Sequence, residues 1–491
     1  MKEFIICFTE NKWYSLNILN DEFIEDHEIS FRNKYYTFQV SDFIRELKSK
    51  RFKIIPEIIN LESFDKQFSQ RGKDLFDFKK WHILKALRRE EIIDSNYKIT
   101  HLKDFLLEVK DFINKLKENS DAELDRFNNI ELKINEIINK TSFEGIKIDR
   151  NILDNKCLNL HKDIYELKNE FQFLYNIFQP EYLETQSHYL KNKNYKILIS
   201  IENTIRLLRR SDVICEKFHK LNRLIKDLKT LMMLKSRLGG IDFVNPYFVG
   251  FGSITSRIII KEPSLQNLRK ENRDVIIPNE GKELFYLDYN QFEASILAHL
   301  SKDILLLNLI NKNDVYADIV EKIFNKELND DSRKEAKILF YRYLYGDTFE
   351  NNLEFKKKVD NYFSKFSTLA KFKNDLIKIS MEKSYVETGF GNDRKLDLNN
   401  ENIWILSHLI QSKASYIFKK AIIETYQKVK KARLLIPLHD GALYEIDEKD
   451  AENIKYQITK IFKEVFQKEC SLLANPQAEE QDFYYSYNIM K

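Results

Sequence analysis

Glycine and proline are scarce in this chain, 11 and 7 among 491 residues. So few punctuating residues argue against a fold of many short strands and favour long helices with short connections. Cysteine is rarer still. Cys7, Cys157, Cys215 and Cys470 lie far apart and form no CxxC pair. That spacing argues against a zinc site or a disulfide framework and leads us to expect a reducing cytoplasm. No apolar run approaches the roughly 20 residues of a membrane span, so no membrane partner is expected. Met1 to Phe8 lacks the long apolar core and small-residue cleavage site of a secretory signal. We find no internal repeat and no low-complexity linker. A large net charge is missing too: 32% of the residues are charged, yet the balance is only +4.

What is present is core-forming material. Hydrophobic residues make up 43% of the chain, and the length predicts two to four domains. Residues 1 to about 125 open with strand-like runs at Glu3–Phe8 and Trp13–Ile18. Glu91 to Ser120 then places Leu102, Phe105, Leu106, Val109, Phe112 and Ile113 at helical spacing. This predicts a small α/β domain. Asn128 to Ile177 reads as helix interrupted at Phe143–Asp149. From Lys191 to Arg237 there are 13 Lys or Arg against 4 Asp or Glu, interleaved with apolar residues. That pattern is amphipathic helix, with a basic side suited to a phosphate backbone or simply solvated. Gly239-Gly240 ends it. Residues 303 to 383 are again helical, and a long helix is expected from Glu401 to Lys430. The class is α+β and helix-rich.

Two acids draw attention. Asp288 closes the apolar run Leu284–Leu287, and Asp440, 152 positions on, follows Leu434–Leu438. Short apolar runs bounded by polar residues read as buried strands. Carboxylates brought together from two strands can hold a pair of divalent cations, which stabilise the attacking and leaving oxygens of an in-line phosphoryl displacement.

The neighbours of these acids carry a resemblance. Asp288-Tyr289-Asn290-Gln291-Phe292-Glu293, with Ile296 to Ser301 after it, resembles motif A of the family A DNA polymerases. Thr255-Ser256-Arg257 and Pro263 to Leu268 resemble the segment preceding that motif. Arg333, Lys337, Tyr341, Tyr345 and Gly346 stand at motif B spacing. Tyr385 to Gly391 resembles a further family stretch, and His439-Asp440 resembles motif C. The order is the family's, over residues 128 to 491.

The resemblance implies a right-hand polymerase fold. The expected thumb is 126–245, the palm 246–302 and 399–491, and the fingers 303–398, behind a degenerate exonuclease-like domain at 1–125. It implies that Asp288 and Asp440, with the Tyr289 carbonyl, ligate two Mg²⁺ ions, for which Mn²⁺ can substitute. Arg333 and Lys337, four apart on one helical face, would neutralise a triphosphate. Lys337 is counted with the two aspartates as catalytic. Gln291 and Tyr316 join the nucleotide site. Glu293 resembles the family's steric gate, crowding a ribose 2′-hydroxyl together with Tyr341. A Tyr at 341, where Phe is frequent, implies readier use of dideoxynucleotides. Arg257, Gln266, Asn267, Tyr345, Gly346, Gln411 and His439 match positions that contact primer-template DNA.

Several positions depart from the pattern. Gly441 stands where a carboxylate usually follows the motif C aspartate. Tyr316 replaces a histidine, Arg342 a glycine, and Ser295 an arginine; the stretch from Gly346 to Tyr362-Phe363 is short. At the N-terminus, Phe8-Thr9-Glu10 occupies the place of an Asp-x-Glu, so no proofreading is expected. The expected function is DNA-directed DNA synthesis from deoxynucleoside triphosphates. The alternatives are a template-independent or relaxed nucleotidyl transferase, and a DNA-binding accessory protein with little activity. A single-subunit RNA polymerase is disfavoured by Glu293 and Tyr341.

Overall fold

The computed structural model describes residues 2–72, 81–118, 120–198, 200–238, 241–312, 314–346, 353–396, 404–474 and 476–484. Gly239-Gly240, the start of the helix expected from Glu401, and 347–352 within the short stretch after Gly346 lie outside them. The chain forms two compact units: 1–144 with 247–260 and 280–481, and 145–246 with 261–279 and 482–491.

The first unit begins with a five-stranded sheet in the order Phe23–Ile24, Lys12–Asn17, Glu3–Thr9, Lys34–Thr37, Glu57–Asn60. Glu3–Thr9 pairs antiparallel with Lys12–Asn17 and parallel with Lys34–Thr37. Its residues alternate between two cores, Ile5 and Cys7 into one and Phe4 and Ile6 into the other. Both faces are covered, which is why the run reads as continuously apolar. The helix expected across Glu91–Ser120 is Leu102–Lys117, burying Phe105, Leu106, Val109, Phe112 and Ile113. Its start is later than expected because Asp94 turns the chain, its carboxylate accepting from the Asn96 amide at 2.8 Å. Glu10 and Asn11, both at positive φ, make the two-residue hairpin turn after Thr9. Glu10 is therefore an exposed turn residue and not a strand acid.

A four-stranded antiparallel sheet follows, ordered Ala432–Pro437, Gly441–Asp447, Lys282–Tyr289, Ala478–Glu480. Asp288 lies inside its strand, opposite Gly441. Asp440 sits in the hairpin turn, because the strand ends at Pro437, one residue before the end of its apolar run. One face of the sheet packs on helices Ile405–Lys428 and Ala451–Glu469; the Tyr289 ring lies 5.3 Å from Phe462 and 5.2 Å from Phe466. Residues 303–383 are helical as expected but broken into Ile304–Lys312, Val315–Ile319, Val320–Phe324, Asp330–Leu344, Leu353–Ser364 and Ser367–Lys383.

Buried charges join the N-terminal sheet domain to the rest of this unit. Arg126 donates to Glu131 (3.0 Å), the Gly391 carbonyl (3.1 Å) and Ser256 Oγ (2.7 Å), while Lys419 reaches Glu131 at 2.6 Å. Glu123 accepts from the backbone amides of Asn392 and Asp393. Ser256, at φ +60°, is held by Arg126 and Ser415, which sets the backbone that presents Arg257.

In the second unit, helices Arg150–Tyr175 and Val213–Leu238 pack around Phe171, Phe218 and Leu221. The basic run is not one helix. It spans the end of Leu183–Asn192, the short Ile201–Leu208, and Val213–Leu238. Many of its cations are matched locally, Lys226 by Glu202 and Lys235 by Asp154.

Candidate active site

Period-two alternation puts Asp288 and Tyr286 on the sheet face opposite to Phe285, Leu287 and Tyr289. The chain then turns through Asn290 and Gln291, the latter at φ +49°, directly into helix Phe292–Ser301. The hairpin is closed by Leu438 N donating to the Gly441 carbonyl at 2.7 Å and by Tyr289 N donating to the Asp440 carbonyl at 3.0 Å. Those two bonds bring Asp440 to Asp288.

A cavity of about 360 Å³ opens here, lined by Asp288, Tyr289, Asn290, Gln291, Asp314, Tyr316, Arg333, Lys337, Asp440 and Gln481. Burial, and then the charge of Asp440, push the Asp288 carboxyl up to about 7, against the pull of Lys337 and a hydrogen bond from the Tyr286 hydroxyl. Asp288 Oδ1 is buried with no hydrogen-bond partner. An orphaned carboxylate oxygen beside a second carboxylate is costly unless a cation joins them. The donor set therefore fits a divalent ion. Among the described residues no third His, Cys, Asp or Glu completes a cluster. Magnesium tolerates that, since one or two carboxylates with substrate phosphates and water suffice. The Tyr289 side chain is buried among Phe462 and Phe466, so only its backbone is available.

Helix Asp330–Leu344 starts on a capping box between Asn329 and Ser332 and ends at Gly346, φ +91°. Its four-residue spacing points Arg333 and Lys337 into the cavity. Arg333 is oriented by an ion pair with Asp314 and by Asn290 Oδ1 at 3.3 Å, and its guanidinium lies over the Tyr316 ring. Tyr316 is buried, its hydroxyl 3.0 Å from that of Tyr341. Gln291 Oε1 accepts from the Val315 amide at 3.0 Å, joining the turn after Asp288 to the helix that carries Tyr316.

Beside the cavity, Glu293 accepts from Tyr345 OH at 2.6 Å and from Arg257 at 2.7 Å, and Gln411 donates to Tyr345 OH at 3.3 Å. Four residues expected separately thus form one network. His439 is exposed on the turn next to Asp440. Arg342 is exposed on the helix that carries Lys337, and Ser295 is buried in the helix after motif A. Gln266 and Asn267 belong to the second unit, in a short turn where Asn267 donates to Ser264 Oγ at 2.7 Å. That unit also has a cavity of about 630 Å³ where Arg209, Arg210, Lys220, Arg223 and Arg269 stand among Asp163, Glu216, Asp227 and Glu271, with Arg269 paired to Asp227 and Arg223 to Glu271. Burial lowers the pKa of His219 there, and the charges of Arg209, Arg223 and Arg269 add to the effect.

Sequence reasoning left Tyr286, Asp314 and Gln481 out of the site. Tyr286 was legible in principle, two residues before Asp288 on a strand. Gln481 was not, because only sheet pairing brings Ala478–Glu480 alongside Asp288.

The pattern of DNA polymerase family A matches residues 146–479. DNA polymerase I of Caldicellulosiruptor bescii is 25% identical over 378 residues, 67% of this chain and 44% of that protein. DNA polymerase I of Helicobacter pylori (strain J99) is 24% identical, covering 68% of this chain and 41% of its own length. The chain thus spans less than half the length of these relatives. The POL domain of Pol1 from M. smegmatis, solved in complex with DNA primer-template and dNTP, superposes with a TM-score of 0.77 at 17% identity, over 97% of this chain and 94% of that one. Fold and paired acids together define a helix-rich α+β protein with the polymerase fold. The chain belongs to DNA polymerase family A.

Proposed function

We propose that this chain is a DNA-directed DNA polymerase that adds deoxynucleotides to a primer 3′ end and releases pyrophosphate. The observation that carries the reading is the single cavity in which Asp288 and Asp440 face Arg333 and Lys337. Asp288 and Asp440, with the Tyr289 carbonyl, would hold two Mg²⁺ ions, or Mn²⁺ in their place. Bound there, the ions supply charge neutralisation and an activated primer hydroxyl for phosphoryl transfer.

The remaining work falls to the chain's own residues. Lys337, within electrostatic reach of Asp288, and Arg333, steadied by Asp314, would neutralise the triphosphate. Glu293 is fixed by Arg257 and Tyr345 and, with Tyr341, would exclude a ribose 2′-hydroxyl. Tyr316 and Gln291 would shape the nucleotide site by holding Tyr341 and the turn after Asp288. Arg257, Tyr345, Gly346, Gln411 and His439 would meet the primer-template, as would Gln266 and Asn267 of the second unit. We read 126–245 as thumb, 246–302 and 399–491 as palm, and 303–398 as fingers. Arg209, Arg210 and Lys220 in the second unit's cavity support backbone gripping there.

We further propose that residues 1–125 lack proofreading, supported by the position of Glu10 in an exposed hairpin turn. No helix among the described residues is long and apolar enough to cross a membrane. A cytoplasmic setting is part of the proposal and rests on four buried free thiols.

The test is Mg²⁺-dependent extension of a primed template, with and without template and with ribo- or deoxynucleotides. Extension that needs template and prefers deoxynucleotides supports the reading. Equal extension of an unpaired primer would favour a relaxed nucleotidyl transferase. DNA binding with no extension would favour an accessory protein.

A further inference from the structure

Gly441 stands where the family pattern has a carboxylate, and the structure shows what occupies that space. A Cβ at Gly441 would lie 2.6 Å from the Leu287 carbonyl oxygen, 2.7 Å from the Tyr286 hydroxyl and 2.9 Å from Tyr286 Cε2. No side chain fits there without moving backbone. The pairing explains the crowding: Gly441 is directly opposite Asp288, and Tyr286, two residues earlier, shares its face. The Tyr286 side chain, only 8% exposed, therefore runs along the sheet over Gly441 to the carboxylate of Asp288.

The tyrosine hydroxyl donates to that carboxylate, which also shares a hydrogen bond with Asp440. Oδ1 has no partner, so both bonds fall on the other oxygen. A carboxylate with one oxygen tied and one unsatisfied is a metal ligand held in a single orientation. Such outer partners fix ligand geometry, and their loss typically weakens metal affinity or activity about 10–100-fold.

Resting on the proposed two-cation chemistry, we propose that Tyr286 is a positioning residue that takes over from the missing motif C carboxylate. It acts as an uncharged donor that orients Asp288 for a divalent cation, in the space that Gly441 leaves open. A third carboxylate would contribute charge to the site. A phenol contributes only direction, so the site binds its metal with two protein charges and depends more heavily on the orientation of Asp288.

Tyr286→Phe tests this, because it keeps the ring that covers Gly441 and removes only the hydroxyl. Mn²⁺ binding to the full chain is measured by electron paramagnetic resonance with a dideoxy-terminated primer-template present, alongside wild type and Asp288→Asn. Primer extension is followed in parallel against Mg²⁺ concentration. The expected results are Mn²⁺ binding weaker by about tenfold or more, a matching rise in the Mg²⁺ concentration for half-maximal extension, and an unchanged melting temperature. Mn²⁺ binding by Tyr286→Phe within twofold of wild type overturns the inference, as does wild-type binding that Asp288→Asn leaves intact. A wild type that binds Mn²⁺ through Asp288 yet never extends a primer defeats the polymerase reading and leaves the role of Tyr286 standing.

Discussion

Replacing Asp288 by Asn should remove activity and, in metal-free buffer, make the protein more stable. The Asp288 carboxyl is pushed from its ordinary 3.8 up to about 7 by burial and by Asp440. A raised carboxyl means that the folded state holds a proton the unfolded chain has already released. In EDTA, the Asp288 contribution to wild-type stability should therefore be largest below about pH 4, fall as the pH climbs toward 7, and level off above. Three units at about 1.4 kcal/mol each give a ceiling of roughly 4 kcal/mol. Asn carries no charge to desolvate, so Asp288→Asn should escape this loss and exceed wild type by about 2–4 kcal/mol at pH 8. At pH 4 the two proteins should differ little. Magnesium should stabilise the wild type and leave the variant unmoved. Urea titrations at both pH values, with EDTA or Mg²⁺, read this directly, and primer extension and DNA binding complete the assay. A variant that still extends primers, or one less stable than wild type at pH 8 in EDTA, would refute the reasoning.

Other outcomes follow from the same contacts. Glu293→Ala frees Arg257 and Tyr345 and opens the sugar side of the site, so ribonucleotide incorporation relative to deoxynucleotide should rise at least tenfold in single-nucleotide extension; an unchanged ratio counts against the gate. Arg333→Ala should raise the KM for deoxynucleotide about tenfold or more, while Lys337→Ala should lower kcat by two orders of magnitude or so; steady-state kinetics showing neither would remove both from the site. Gly441→Ala forces a Cβ against the Leu287 carbonyl and should cost about 1–3 kcal/mol in denaturant titrations together with most of the activity. Burial raises the Glu469 carboxyl, but hydrogen bonds from Lys413 and Lys420 outweigh it and leave the group below its ordinary range. Its contribution is therefore present above the unfolded value and lost as pH falls through the folded one. Glu469→Gln should cost about 1 kcal/mol at pH 7, and progressively less as the pH falls through the folded value.

Some of the site was legible because its determinants are local. An apolar run ending in Asp288 makes a strand wherever it packs, and Phe292–Ser301 makes a helix after it. Four-residue spacing places Arg333 and Lys337 on one face before any partner is known. The helix start at Leu102 was missed because the Asp94 turn competes with the apolar period.

By itself, the sequence determined which residues carry charge, which runs are buried, and in what order the motifs appear, since these depend on side-chain chemistry and short-range period. Only the tertiary structure decided who meets whom. Glu293 finds Tyr345 and Arg257, Tyr316 finds Tyr341, and Arg126 reaches Ser256 and Gly391, across separations that no local pattern encodes. Gly441 shows the difference most sharply. In sequence it is a missing acid. In the sheet it is the gap that admits Tyr286 to Asp288, because the register sets Gly441 opposite the aspartate and leaves no room for a Cβ beneath the ring.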